Sequence, residues 1–129
     1  MVKSLIVEDG FTSRLLLQEI LKHYGETHVA VNGREAIEAA SLAIKSGEPY
    51  DLICLDIMMP EVDGQAALRQ IRAMEEIAAI DGAKIIMTTA LSDTGNVVMA
   101  IDALCDAYLV KPIDKAKFLE KLRSLKLIP

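Results

Sequence analysis

The sequence predicts an α/β fold, a doubly wound parallel sheet with helices on both faces. Three observations support this prediction. Short apolar runs alternate with longer amphipathic segments five times along the 129 residues. In most of the strand-like runs, apolar residues follow one another without alternating polar residues, which is typical of strands buried on both faces. Strict alternation of strands and helices implies parallel strands joined by right-handed crossovers.

The first two strand–helix pairs follow from apolar runs, helical spacing and glycine breaks. An unbroken apolar run forms the first strand, whereas the second is shorter and more polar, as expected at a sheet edge. Apolar side chains recur at helical spacing in both helices, and Gly25 and Gly47 end them. These four elements are predicted at residues 3–8, 12–24, 27–31 and 34–46.

The remaining three pairs follow the same pattern. Apolar strands precede each helix, and Asp114 is a plausible N-cap for the last helix. The stretch between Ile77 and Gly82 fits neither pattern well. The predicted elements are residues 50–56, 64–77, 84–88, 93–105, 106–110 and 114–125.

Composition narrows the class of protein. The chain is 52% hydrophobic and 26% charged, which is typical of a globular protein. A formal net charge of −5 argues against a nucleic-acid partner. No apolar run approaches the roughly 18 residues that span a bilayer, and the N-terminus lacks a signal-peptide pattern. Two cysteines without CxxC spacing fit a reducing compartment. We expect one cytoplasmic domain over residues 1–129, with no effector domain and no membrane contact.

Charged side chains follow three of the predicted strands. Glu8 and Asp9 end the first strand, Asp56 ends the third, and Lys111 follows the fifth. Open α/β sheets bind ligands in the crevice outside the carboxyl ends of their strands. The sequence therefore predicts that three acids and one lysine meet in a single crevice.

Together these residues resemble those of response-regulator receiver domains, specifically stand-alone ones of the chemotaxis-protein type. The resemblance covers essentially the whole chain. It implies a flavodoxin-like (βα)5 fold with strand order 2-1-3-4-5. The motifs that carry it are Glu8-Asp9, Asp56 with Pro60 and Gly64, Thr89-Ala90, and Tyr108 ahead of Lys111-Pro112.

The resemblance implies a phosphoacceptor site. Asp56 would be the nucleophile that becomes a 4-aspartylphosphate. Glu8, Asp9 and Asp56 would hold Mg²⁺, together with the backbone carbonyl of Met58. Lys111 would neutralise a phosphoryl oxygen, and its bond to Pro112 is usually cis in the family. By the same resemblance, the phosphoryl group would also accept hydrogen bonds from the Thr89 hydroxyl and the Ala90 N–H.

The resemblance also implies a switch and its partners. Thr89 and Tyr108 would move on phosphorylation and remodel the face formed by the fourth helix, the fifth strand and the fifth helix. The donor would be a sensor histidine kinase or a histidine phosphotransfer protein, and that face would bind a downstream protein, with a homodimer also open. We expect no enzymatic activity beyond self-phosphorylation and slow autodephosphorylation. By the same resemblance, the apolar side chains of Met58 and Leu91 would flank the path of the hydrolytic water, so the loss of phosphate should be slow.

Each residue taken singly has a simpler explanation. Glu8 or Asp9 alone could favour a helix N-terminus, and Asp56 alone could cap a loop. Lys111 alone could be a surface lysine, and Thr89 could be structural. A receiver-like binding module that is never phosphorylated is a further alternative, against which the intact set argues.

Two other enzyme and cofactor classes fit less well. A flavodoxin relative needs a phosphate-cradling loop after the first strand, where this chain has Glu8-Asp9. A haloacid-dehalogenase-type phosphatase needs a second aspartate two residues after the nucleophile, where this chain has Met58.

Overall fold

The protein folds around one five-stranded parallel sheet, as seen in a computed structural model that describes residues 1–59, 62–90 and 104–129. The strand order is 2-1-3-4-5, which confirms the predicted fold. The strands are β1 (Ser4–Val7), β2 (Thr27–Ala30), β3 (Leu52–Asp56), β4 (Lys84–Thr89) and β5 (Ala107–Val110). The helices in the described part are α1 (Phe11–Leu21), α2 (Gly33–Lys45), α3 (Gly64–Ala78) and the C-terminal α4 (Lys115–Ser124).

Two apolar layers cover the two faces of the sheet. On one face, α2 and α3 bury a layer of small and branched side chains that includes Ala40 and Ile71. On the other, α1 and α4 bury Leu17 and Phe118 against β1 and β3. Leu15 is one of the apolar side chains that recur at helical spacing in α1, but it is 45% exposed. Among the described helices, none is long and apolar enough to cross a membrane.

Most element boundaries agree with the prediction within two residues, and α1 is the main exception. It ends at Leu21 instead of residue 24. The chain leaves the helix early because the Tyr24 carbonyl accepts a hydrogen bond from the Val2 N–H at 2.8 Å, which ties this turn to the start of the sheet. Gly25 lies against the same segment, since a Cβ there would stand 2.2 Å from the Val2 carbonyl oxygen.

The predicted fourth helix falls largely on residues that lie outside the described part of the chain. Residues 93–103 of this predicted helix lie outside the described residues, as do Pro60 and Leu91. Leu104 and Cys105, its last two predicted residues, are not helical: Leu104 lies in a turn and Cys105 in irregular structure. Both side chains pack against the apolar layer under α2 and α3.

Side-chain caps and one close approach place the helices relative to the sheet. Asn32, Asp63 and Asp114 accept backbone hydrogen bonds at the starts of α2, α3 and α4, which confirms the cap predicted at Asp114. Gly64 begins α3 directly against β3, where a Cβ would stand 2.2 Å from the Asp56 carbonyl oxygen. A larger residue would push α3 away from the end of β3.

An arginine in α3 ties together the start of β4 and the approach to β5. The Arg72 guanidinium donates to Glu75 at 2.7 Å, to the Ala83 carbonyl at 2.8 Å and to Asp106 at 3.0 Å. It also donates to the Leu104 carbonyl at 2.8 Å. Glu75 is 6% exposed and accepts from the Ala83 N–H as well. Burying this acid is tolerable because its charge is paired and hydrogen-bonded.

We expect Arg72→Met to lower the free energy of unfolding by about 2–3 kcal/mol, because it leaves the Glu75 charge buried and unpaired. Adding Glu75→Gln should recover part of that loss, since the amide still accepts the Ala83 N–H without carrying a charge. Urea denaturation of both variants tests this. A double variant no more stable than Arg72→Met would show that the lost backbone contacts, not the charge, carry the effect.

Candidate functional site

Three strand ends bring the predicted acids and lysine together. Glu8 and Asp9 follow β1, Asp56 is the last residue of β3, and Lys111 follows β5. One carboxylate oxygen from each acid lies within 4.8 Å of the others. Glu8 and Asp56 are 1% and 3% exposed, whereas Asp9 is exposed to solvent. The crevice therefore concentrates negative charge that is partly removed from water.

Lys111 provides the positive charge in this crevice. Its ammonium nitrogen lies 2.7 Å from Glu8 Oε1 and donates a hydrogen bond to Asp56 Oδ2 at 3.0 Å. The backbone N–H of Lys111 donates a hydrogen bond to the Thr89 carbonyl at 2.7 Å, which fixes the backbone at the end of β5. The Lys111–Pro112 peptide bond is cis, as the resemblance implied. One ammonium group thus serves two buried carboxylates.

Burial and shared charge shift the pKa values in opposite directions. Burial raises the pKa of Asp56 to about 6, with a further contribution from the Glu8 charge, although Lys111 opposes the shift. Burial also raises the pKa of Glu8, but the Lys111 ammonium group and the Gly10 N–H outweigh this effect and lower that pKa overall. Burial lowers the pKa of Lys111 less than its two carboxylate neighbours raise it. Of the two buried acids, Asp56 is therefore the one whose pKa is raised overall.

Backbone groups hold the two buried carboxylates in place. Gly10 N–H donates to Glu8 Oε2 at 3.0 Å, and Met58 N–H donates to Asp56 Oδ1 at 3.2 Å. A Cβ at Gly10 would approach Glu8 Oε2 to 3.2 Å, so a small residue suits this position. The Met58 side chain is 63% exposed at the mouth of the crevice. The other oxygen of each carboxylate faces the Lys111 ammonium group.

Arg14 is a site residue that the sequence reasoning missed. Its guanidinium donates to the Glu8 carbonyl at 3.2 Å and reaches the Asp9 carbonyl at 3.5 Å, steadying the backbone that carries both acids. A cation near a helix N-terminus opposes the helix dipole. That unfavourable placement, in a helix with no acid in its first turn, was the available signal.

The predicted switch residues lie on the neighbouring strands β4 and β5. Thr89 ends β4, is fully buried, and donates its hydroxyl to the Ala90 carbonyl at 3.1 Å. Ala90 is exposed beside it. Tyr108 in β5 is 38% exposed, so its ring is directed at least partly to solvent. Their assigned roles stay predictions.

The donor set fits a divalent cation. Three carboxylates and one ammonium group leave an excess of negative charge when all are ionised. Glu8 Oε1 is buried and, within the described residues, accepts no hydrogen bond of good geometry despite its ion pair with Lys111. Mg²⁺ prefers oxygen ligands and is usually bound in proteins by one or two carboxylates together with several waters. The crevice is therefore chemically suited to Mg²⁺.

This fold and crevice define a class of protein. The response regulator receiver domain family matches residues 4–123. The chain therefore belongs to the response regulator receiver domain family, which confirms the resemblance in the sequence.

Individual relatives show where such domains occur. The chain is 36% identical to chemotaxis protein CheY of Listeria monocytogenes, over 96% of this chain and 98% of that protein. It is 33% identical to response regulator ArlR of Staphylococcus saprophyticus over 97% of this chain, and spans only about half (52%) of that relative's length. The receiver domain of sensor histidine kinase PA1611 from Pseudomonas aeruginosa, 26% identical, superposes with a TM-score of 0.73 over 95% of both chains. That structure has a magnesium ion coordinated in its active-site cleft.

The raised pKa of Asp56 predicts a pH-dependent effect on stability. A folded pKa of about 6 lies above the value of roughly 3.9 for an unfolded chain. The stabilisation that the protonated Asp56 carboxyl gives the folded state is therefore complete below the unfolded pKa. It is lost as the pH rises through about 6. In EDTA at pH 7.5, Asp56→Asn should raise the free energy of unfolding by about 1–2 kcal/mol.

The gain should shrink towards zero near pH 4.5, where the native carboxyl is mostly protonated. Urea denaturation at both pH values measures the difference, and Asp81→Asn, at an exposed loop position, is the matched control. An equal gain at both pH values would contradict a titration effect.

Proposed function

We propose that this chain is a phosphoacceptor switch of a two-component system, with Asp56 as the residue that becomes phosphorylated. The observation that carries the proposal is the placement of Asp56. It is a buried carboxylate at a strand end with an ammonium group 3.0 Å away and two further acids within reach of one cation. The donor would be the phosphohistidine of a sensor kinase or a histidine phosphotransfer protein, or a small acyl phosphate.

The reaction transfers one phosphoryl group. An Asp56 carboxylate oxygen attacks phosphorus, and the bond from phosphorus to the donor nitrogen or oxygen breaks. The leaving group keeps the bonding electron pair. Such transfers pass through a loose transition state with charge spread over three oxygens, so positioning and charge neutralisation dominate catalysis. Met58 N–H orients the nucleophilic carboxylate by its bond to Oδ1.

Charge neutralisation requires more than Lys111. Glu8, Asp9 and Asp56, with the backbone carbonyl of Met58, would hold Mg²⁺, which supplies positive charge to the phosphoryl oxygens when bound. Lys111 can then leave Glu8 and donate to a phosphoryl oxygen, since its side chain already lies between the two acids. The Ala90 N–H would donate to another oxygen.

Phosphorylation would be read out through Thr89 and Tyr108. The Thr89 hydroxyl now donates to a neighbouring carbonyl and can rotate to a phosphoryl oxygen instead. Tyr108 would then turn inward from its half-exposed position. The change would bias a bistable face around the predicted fourth helix, β5 and α4, which binds a downstream protein.

The proposed role is regulatory and not metabolic. The chain would catalyse its own phosphorylation and a slow autodephosphorylation, with no other substrate. A donor kinase of this kind signals in the cytoplasm, and the buried thiol of Cys54 is compatible with reducing conditions there.

Incubation with acetyl phosphate and Mg²⁺ should add about 80 Da to the intact mass, the mass of one phosphoryl group. The adduct should be lost in Asp56→Ala and in EDTA, and retained in Asp81→Ala, which removes an exposed aspartate far from the crevice. An adduct that survives Asp56→Ala would assign another acceptor. No adduct, with Mg²⁺ binding established by titration calorimetry, would contradict acceptance from small donors.

A further inference from the structure

An apolar groove lies between α2 and α3, away from the crevice. One part of it encloses about 250 Å³. A second part continues along α2, sharing Ser41, Lys45 and Met74 with the first. The first part is lined by Ser41, Ile44, Lys45, Met74, Ile77 and Ala78.

Two large apolar side chains stand beside this groove in solvent. Leu42 is 70% exposed and Ile77 is 87% exposed. Single exposed apolar residues are common, but two of them flanking an apolar groove form a patch typical of an interaction surface. The neighbouring Ala40 and Ile71 already fill the layer beneath the helices, so neither exposed side chain is needed for the core.

The charges at the edge of the groove would be complementary to those of a second copy of the chain. Glu38 and Lys45 are both exposed on α2, on either side of Leu42. They are seven positions apart, which is two helical turns or about 10 Å. If a second α2 approaches antiparallel, Glu38 faces Lys45 of the second copy and Lys45 faces its Glu38. A two-fold contact of this kind is self-complementary by construction.

We propose that this α2–α3 groove is a weak homodimer interface. Leu42 of each copy enters the groove of the other beside Ile44 and Met74, and the two Glu38–Lys45 pairs flank the contact. The two-fold axis passes between Ser41 and Leu42.

The geometry separates this interface from phosphorylation. Each helix that follows a strand runs back from the carboxyl edge of the sheet towards its amino edge. Lys45, Ile77 and Ala78 are at the C-terminal ends of their helices and hence on the side of the sheet opposite Asp56. A dimer formed here leaves the crevice open to a phosphodonor, so dimerisation should be unchanged in Asp56→Asn and without Mg²⁺.

Sedimentation velocity of the full chain over about 10 μM to 1 mM tests the proposal, since small interfaces give weak association. Leu42→Glu should abolish the concentration-dependent shift. Glu38→Lys and Lys45→Glu should each weaken dimerisation by roughly fivefold or more, because like charges then meet across the axis. The double variant E38K/K45E restores both pairs with reversed sign, and should return to within about twofold of the native dissociation constant.

Glu19→Lys is the matched control for net charge. Glu19 lies on the exposed face of α1, in an ion pair with Lys22, and its reversal should leave dimerisation unchanged. All of these variants alter exposed positions, and circular dichroism checks that each is folded. A native chain that stays monomeric up to about 1 mM would overturn the proposal. Failure of E38K/K45E to recover, or weakening by Glu19→Lys, would equally overturn it.

Discussion

The functional site of this protein depends on two buried carboxylates that share a single ammonium group. Burying a charge without a partner is costly, and Glu8 and Asp56 can both be buried only because Lys111 lies between them. This balance is incomplete, since Asp56 remains harder to ionise than an exposed aspartate. The crevice is therefore a site of excess negative charge that is chemically suited to a cation.

The sheet order is what makes this arrangement possible. β1 and β3 are neighbours, which brings Glu8 next to Asp56 directly. β5 is separated from β3 by β4, a distance of about 10 Å for two strand spacings. Only a long side chain can cross that gap, and Lys111 does so over the end of β4 at Thr89. The lysine and the switch hydroxyl are consequently neighbours, which links the charge in the crevice to the residue proposed to report on it.

Much of this follows from the sequence because it depends on local patterns. Alternating apolar and amphipathic segments predicted the sheet and most helix bounds, and strand ends predicted which acids would meet. The long-range contacts were not accessible in this way. In the sequence, Arg72 has the pattern of an ordinary helix-surface residue. Its contacts at the start of β4 exist only because α3 packs there in the folded chain. The early end of α1 depends on a hydrogen bond between Val2 and Tyr24, which no local pattern encodes.

The central claim is that Lys111 exchanges a carboxylate for a phosphoryl oxygen once Asp56 is modified and a cation is present. A crystal structure of the chain with Mg²⁺ and beryllium trifluoride, a phosphoryl mimic, tests it directly. We expect beryllium on the Asp56 carboxylate, the metal bound by Glu8, Asp9 and Asp56, and Lys111 Nζ hydrogen-bonded to fluorine and released from Glu8. Beryllium on another carboxylate, or Lys111 still paired with Glu8 in the complex, would contradict the account.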